Sequence, residues 1–184
     1  VLDIGTTSDL ENESSNIIIK SLENLKNYKS ISDQKIISTF FKRKLKKSIT
    51  SNFTKKEIKN FSSDLVISNA TIEHVGSIKK QKKMLSNMIK LTKKIFIIST
   101  PNRYYPIDFH TKLPFIHWLP KSIHRIILKL IGFNFYSKES NLNLLCEADF
   151  NHIIDQKNVR YKFKYIKLFK LKSNLILIGK KIKS

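Results

Sequence analysis

Apolar positions in this chain follow two spacings. Short continuous runs, "VLDIG" (Val1 to Gly5), "SDLVISN" (Ser63 to Asn69) and "KIFIIST" (Lys94 to Thr100), predict strands buried on both faces. "KSISD" (Lys29 to Asp33) predicts a shorter strand ending on an acid. Helical spacing lies between these runs. "ENESSNIIIKSLENLKNY" sets Ile18, Leu22 and Leu25 on one face behind Ser14 or Ser15 as N-cap. "HVGSIKKQKKMLSNMIKLTKK" sets Val75, Ile78, Leu85, Met88 and Ile89 near one face, with lysines opposite, as a core-facing stripe would. "KSIHRIILKLIGF" predicts an amphipathic helix ending at Gly132, and "CEADFNHIIDQ" another helix. "YKFKYIKLFK" and "NLILIGKKI" predict two strands about a turn at "LKSN". The segment from Asp33 to about Asn60 is the least regular. It predicts a short basic helix and a weak strand near Ser48 to Phe53.

Strands that alternate with helices and close on a hairpin predict an α/β domain. Its sheet is mostly parallel, with a C-terminal antiparallel hairpin strand. In such sheets ligands bind beyond the carboxyl ends of the strands. The residues of interest therefore follow each strand: Gly5 to Asp9, Asp33, Ser51 and Asn52, Asn69 to His74, and Thr100 onward.

Composition narrows the class. The chain has 184 residues, 41% of them hydrophobic, with four glycines and four prolines, which fits one globular domain with a core. The single cysteine, Cys146, excludes an internal disulfide and a cysteine metal cluster and fits a reducing compartment; no metal is expected. No run of about 18 apolar residues and no signal peptide is visible, so a cytoplasmic location is expected, peripheral to a membrane at most. The first residue is a valine inside an expected strand, so a preceding N-terminal segment is expected. The net charge of +21 has two readings. One is a nucleic-acid or anionic-membrane partner. The other is lysine spread over every solvated face. The lysines are dispersed and arginines are few, so the second is preferred.

"STPNRYYPIDFHTKLPFIHWLP" (Ser99 to Pro120) departs from this plain background. It holds every proline, the only tryptophan and two of the five histidines. It follows the "KIFIIST" strand, so it leaves the sheet at its carboxyl end. Prolines hold such a segment open without helix or sheet. Asn102, Arg103, Tyr104, Phe109 and Trp118 are the expected acceptor-binding residues, forming apolar walls with polar tips. The alternative is a packed structural loop. His74, His110 and His117 are the candidate bases, because unperturbed histidine titrates near neutrality. A structural role is the alternative for each. His124 and His152 receive no role. With the following helix, the segment offers an apolar face edged by lysine and arginine, a pattern suited to a membrane surface.

Asp3 and Gly5 stand at an expected strand-to-helix turn, and Asp33 ends the second strand, where an acid accepts both ribose hydroxyls. No glycine-rich phosphate loop is present, so a cofactor with a ribose and no phosphate fits best. In order and spacing, "VLDIGTTSD", Asp33, "SDLVISNATIEHVG" and "IFIISTPNR" resemble the motifs of class I S-adenosylmethionine-dependent methyltransferases. "ESSN", "FHTKLPFIHWLP", "NLNLL" and "SNLILIGKK" resemble one bacterial branch of that family, acting on small molecules or lipids. The resemblance spans nearly the whole chain and implies a single Rossmann-like domain over residues 1–184 that uses S-adenosylmethionine.

By the same resemblance, Asp3, Gly5 and Thr6 line the methionine end and Asp33 binds the ribose. Ser51 and Asn52 flank the adenine, Asn69 and Ala70 floor the sulfonium, and Glu73 and His74 stand at the site's edge. Two departures accompany it. Thr6, Thr7 and Ser8 follow Gly5 where the family carries further glycines, which is expected to narrow the approach. The adenine position offers only neutral Ser51 and Asn52. The expected function is methyl transfer to a small-molecule or lipid-type acceptor, with peripheral membrane contact and no nucleic acid. The alternative is a basic nucleic-acid-binding module on a degenerate methyltransferase fold.

Overall fold

The computed structural model describes residues 1–8, 20–22, 27–154 and 159–182. The expected "ENESSNIIIKSLENLKNY" helix falls largely outside them. Seven strands form one sheet: β1 (Leu2–Ile4), β2 (Lys29–Ser32), β3 (Arg43–Lys46), β4 (Ser63–Asn69), β5 (Thr92–Pro101), β6 (Val159–Leu168) and β7 (Leu171–Lys181). Their order is β3-β2-β1-β4-β5-β7-β6. The first five run parallel, and β7 is antiparallel to both of its neighbours. The chain winds outward from β1 through β2 to β3, then crosses back to β4 on the other side of β1. That reversal leaves an opening above β1 and β4, where an open α/β sheet takes its ligand.

The described helices are α1 (Lys55–Phe61), α2 (Ile78–Leu91), α3 (Lys121–Leu130) and α4 (Glu147–Ile153). Met84, Leu85, Met88 and Leu91 of α2 and Phe150 of α4 pack on Leu2, Ile4, Ile31, Val66, Phe96, Ile98 and Leu177 of the sheet. Each such side chain contributes about 1.5–3 kcal/mol of burial. The α2 stripe is turned from the expected one: Ile78 is 43% exposed, and the polar Gln81 is buried in line with Met84 and Leu85.

The irregular region differs from expectation. Arg43–Lys46 form strand β3, which was not expected, and residues 48–53 form turns rather than a strand. β3 is an edge strand with little apolar burial, so it has no hydrophobic period to read. Its charges also blunt the edge against further pairing. The short basic helix expected in this region, without bounds, corresponds to α1, and its signal stands in "TKKE": Thr54 and Glu57 form a reciprocal capping box, and Lys47 pairs with Glu57 at 2.8 Å. The closing hairpin turns at Phe169 and Lys170, with φ of 49° and 66°, and "LKS" belongs to β7. Such turns usually take Asn-Gly. Here 38 Å or so of paired backbone in β6 and β7 holds two ordinary residues in that geometry. Among the described residues, no helix is long and apolar enough to cross a membrane.

Candidate active site

A cavity of about 430 Å³ opens at the carboxyl ends of β1, β2 and β4. The turn after β1 contributes Gly5, Thr6 and Thr7. The turn after β2 contributes Ser32, Asp33 and Gln34, and the turn after β3 contributes Ser48, Ile49 and Thr50. Ala70, Thr71, His74, Val75, Lys80 and Ser140 complete the wall, with Ile31. Gly5 has a φ of 85°, and a β-carbon there would overlap the Thr71 side chain. The glycine therefore serves the close approach of two strand-end turns. The Thr71 hydroxyl in turn donates to the Asn69 carbonyl at 3.0 Å.

Below the first turn lies a buried chain of hydroxyls. Ser30 donates to the Thr6 hydroxyl at 2.7 Å, Thr6 donates to Asp3 Oδ2 at 2.5 Å, and the Ser32 hydroxyl donates to the Thr6 carbonyl at 2.7 Å. Thr6 is 1% exposed, and its hydroxyl is directed beneath the turn. The expected narrowing by this side chain is accordingly relieved. Asp3 does not line the cavity. It stands one layer lower, where burial pushes its pKa up to about 6 against the hydrogen bonds from Thr6 and Ile4. Ser8 links the first turn to the second, its N–H and hydroxyl both donating to Gln34 Oε1 at 3.1 Å. Asp33 is exposed on the cavity wall, and its carboxylate accepts no hydrogen bond among the described residues.

Ser51 and Asn52 lie outside the cavity. Asn87 of α2 donates to the carbonyls of Ile49 (2.6 Å) and Ser51 (2.8 Å), and Lys83 donates to Asn52 Oδ1 at 2.7 Å. The reason is register. β3 ends at Lys46, so the turn facing the cavity is Ser48 to Thr50. Asn69 also stands back from the cavity and accepts the Ser99 hydroxyl, tying the end of β4 to that of β5.

The opposite wall carries titratable groups. Glu73 is fully buried: Oε2 accepts the Thr100 hydroxyl at 2.9 Å, and Oε1 has no partner among the described residues. Burial raises its pKa, and the nearby His74 and His110 work against that rise. His74 Nδ1 lies 2.6 Å from the Asn141 carbonyl, and His74 Nε2 lies 3.1 Å from His110 Nε2. His110 Nδ1 lies 3.1 Å from Asp108 Oδ1, which also accepts the His110 N–H, while Thr111 donates to Asp108 Oδ2 at 2.7 Å. Burial alone would raise the Asp108 pKa, but the hydrogen bonds from His110 and Thr111 outweigh it and hold it down at about 2.

No family model and no curated protein matches the chain. Solved structures do match. Magnesium protoporphyrin IX methyltransferase (ChlM) from Synechocystis PCC 6803, with bound SAH, is 12% identical over 98% of this chain and 73% of its own, with a TM-score of 0.57. The N-methyltransferase NodS from Bradyrhizobium japonicum WM9, in complex with S-adenosyl-L-homocysteine, is 8% identical over 99% and 77%, with a TM-score of 0.56. A SAM-dependent methyltransferase structure from Methanosarcina mazei is 13% identical over 100% and 92%, with a TM-score of 0.57. The chain has the class I methyltransferase fold.

Within this methyltransferase fold the proline-rich loop has a scaffolding part and an exposed part. His117 is buried away from the cavity, its Nε2 2.7 Å from the Tyr105 carbonyl, which the Trp118 indole also reaches at 3.3 Å. It is not placed to act as a base. Arg103 donates to the carbonyls of His117 (3.1 Å) and Leu119 (2.8 Å) and ties the start of the loop to its end, and Asn102 donates to that of Lys172 (2.9 Å) and holds the loop to β7. Phe109 stacks on Tyr105, Tyr104 is exposed beside Arg103, and Trp118 is 42% exposed against the edge of Phe115. None of these five lines the cavity; only His74 among the candidate bases does.

Two residues were missed from the sequence. Asp108 carries a signal, an acid two positions before His110 in "IDFHT". Asn143 carries none beyond its place in "NLNLL". It is buried, donates to the carbonyls of Glu73 (2.7 Å) and Gly76 (2.8 Å), and accepts from Lys121 (2.7 Å) and, on its carbonyl, from Gln81 (2.7 Å). It straps the turn that carries Glu73 and His74.

Proposed function

We propose that this protein transfers the methyl group of S-adenosylmethionine to a small-molecule or lipid-type acceptor. The observation that carries the reading is Asp33. It is a carboxylate with no partner among the described residues, just after β2, across a cavity from Gly5, in a fold whose neighbours bind SAM or SAH. Ribose hydroxyls fit that carboxylate, and the turn after β3 offers neutral groups to the adenine. Ala70 and Thr71, at the end of β4, would floor the sulfonium end.

Methyl transfer is an in-line displacement. A lone pair of the acceptor forms the new bond to the methyl carbon as the carbon–sulfur bond breaks and its electrons return to sulfur. Positioning and exclusion of water do most of the work. His74 and His110 border the acceptor side and supply the groups that activate an acceptor hydroxyl. The lipid-type reading rests on the loop and α3. Trp118, Leu119, Ile123, Ile126 and Leu130 expose an apolar face, Leu130 at 80%, with Lys121, Arg125 and Lys129 on the same helix. That composition suits an anionic membrane surface. The nucleic-acid alternative is weaker, since the lysines are dispersed along the chain and arginines are few.

Calorimetric titration with S-adenosylhomocysteine tests the cofactor assignment: saturable one-to-one binding is expected, and no heat at millimolar ligand overturns it. Labelled S-adenosylmethionine offered with soluble or vesicle-borne acceptors then separates the two acceptor classes.

A further inference from the structure

His74 at the cavity edge and His110 behind it pose a problem of hydrogen placement. His74 Nδ1 meets a backbone carbonyl, which can only accept, so Nδ1 carries the hydrogen. His110 Nδ1 meets Asp108, whose two oxygens already accept from the His110 N–H and the Thr111 hydroxyl, so this Nδ1 carries its hydrogen as well. In the neutral state both Nε2 atoms are then bare lone pairs, and they face one another at 3.1 Å. Beside them lies Glu73, fully buried, with Oε1 unpartnered. With Glu73 ionised, three electron-pair donors converge with no donor hydrogen among them, an arrangement that a metal cation resolves.

We propose that Glu73, His74 and His110 bind one divalent transition-metal ion. One ligand atom from each residue lies within 4.8 Å of the other two. Ligands about 2.1 Å from a shared ion stand roughly 3.0–3.4 Å apart, so the histidine pair is already spaced for coordination. The carboxylate must close by up to roughly 1.4–1.8 Å, which a side-chain rotation can supply. Two imidazoles and one carboxylate select zinc, cobalt or iron over magnesium and calcium and leave coordination positions open. The outer contacts also fit: each ligating ring donates its second N–H to a carbonyl or a carboxylate, which fixes its tautomer and aim. Thr100 and the Asn143 strap hold Glu73 in the same way.

The ion would stand where His74 borders the cavity. Resting on the proposed methyl transfer, an open position there would take an acceptor oxygen and ease loss of its proton to solvent, as a bound divalent ion does for water. The acceptor class implied is one presenting a hydroxyl, with or without a neighbouring oxygen, to a metal.

Untagged protein stripped with chelator is titrated with cobalt(II), read by visible absorption, and with zinc(II), read by calorimetry. One equivalent should bind. His74→Ala and His110→Ala should each weaken binding at least tenfold, Glu73→Gln should do the same, and Asp108→Ala should cost about tenfold through the His110 tautomer. His152→Gln, remote from the cluster, should bind as the parent does. S-adenosylhomocysteine affinity and metal-free melting temperature are measured on every variant, so that loss of metal is read only where both persist. No stoichiometric binding by the parent overturns the site, as does unchanged affinity in the His74→Ala/His110→Ala double variant. Failure of the parent to bind S-adenosylhomocysteine would instead remove the proposed methyl transfer and leave the metal result standing.

Discussion

The two halves of the cavity are built differently. On the β1–β2 side, the wall is made of residues that directly follow a strand: Gly5, Thr6 and Thr7 after β1, and Asp33 and Gln34 after β2. Hydroxyls and main chain do the work there, and among the described residues the acids are Asp3, buried beneath, and Asp33, exposed above. On the β4–β5 side, Glu73, His74, Asp108, His110 and Asn143 come from three stretches of chain and meet through side-chain and backbone hydrogen bonds spanning up to 70 residues. The first half is a surface set by the sheet. The second is a network that exists only once the loops have packed. Substitutions should therefore act on cofactor binding and stability in the first half, and on turnover in the second.

The largest effect is expected at the hinge of the first half. Gly5→Ala forces an L-residue to a φ of 85° and drives its β-carbon into Thr71. Left-handed backbone costs about 1–2 kcal/mol and overpacking about 1–3 kcal/mol. Urea unfolding should show a loss of roughly 3 kcal/mol or more. A loss below about 1 kcal/mol would mean that the two turns are free to separate.

Asp3 gives the same half a pH signature. Burial raises its pKa to about 6 in the fold from the ordinary 3.8, so the folded state holds its proton more tightly. Stability from this group is full below about pH 4 and is lost as pH rises through 6, by roughly 2–3 kcal/mol. Asp3→Asn keeps an acceptor for the Thr6 hydroxyl and removes the buried charge. It should flatten the profile between pH 4 and 7 and raise the melting temperature at pH 8. A parallel profile in the variant would place the titration elsewhere. The second half runs the other way, because hydrogen bonds hold Asp108 down at about 2.

Asp33→Ala should weaken S-adenosylhomocysteine binding by about 1–3 kcal/mol, the cost of charge-assisted hydrogen bonds to the ribose. An unchanged dissociation constant would leave Asp33 a surface acid. His110→Ala, in the other half, should bind S-adenosylhomocysteine nearly as the parent does and lose methyl transfer at least tenfold, about 1.4 kcal/mol of barrier. If both constants fell together, the two halves would be coupled and the distinction drawn above would fail.

This division also governs what the chain revealed before folding. Buried parallel strands are legible as apolar runs, and their ends fix Gly5, Asp33 and Ala70 by position alone. β3 has no such run, and the turn after it that lines the cavity is Ser48 to Thr50, whereas Ser51 and Asn52 were expected there. The loop's unusual composition was legible, but not which of its residues face inward. Asn102, Arg103 and His117 spend their polar atoms on main-chain carbonyls, and Trp118 is neither a core residue nor a cavity wall. Such choices depend on the register of distant segments, which no local pattern encodes. Asn143 is the clearest case: its partners are 62 to 70 residues upstream, or 22 residues away on α3.

The smallest effect is expected at Ala70, where the two halves meet. Ala70 ends β4 with a φ of 47°, lines the cavity, and donates its N–H to the Ser99 carbonyl at 2.9 Å. An L-residue in that conformation carries about 1 kcal/mol of strain, which glycine does not. Glycine also loses more backbone entropy on folding, a cost of about 0.5–1 kcal/mol. The two terms nearly cancel, so Ala70→Gly should change stability by less than about 0.5 kcal/mol in either direction. Its effect should instead appear in the cavity. Removing the methyl group takes away an apolar contact on the proposed sulfonium floor and loosens the step between Asn69 and Thr71. S-adenosylhomocysteine affinity should fall about two- to fivefold, with His110-dependent turnover following only in proportion. A turnover loss far beyond the affinity loss would show that Ala70 positions the histidine network, and the boundary between the two halves would then lie on the β1 side of this residue.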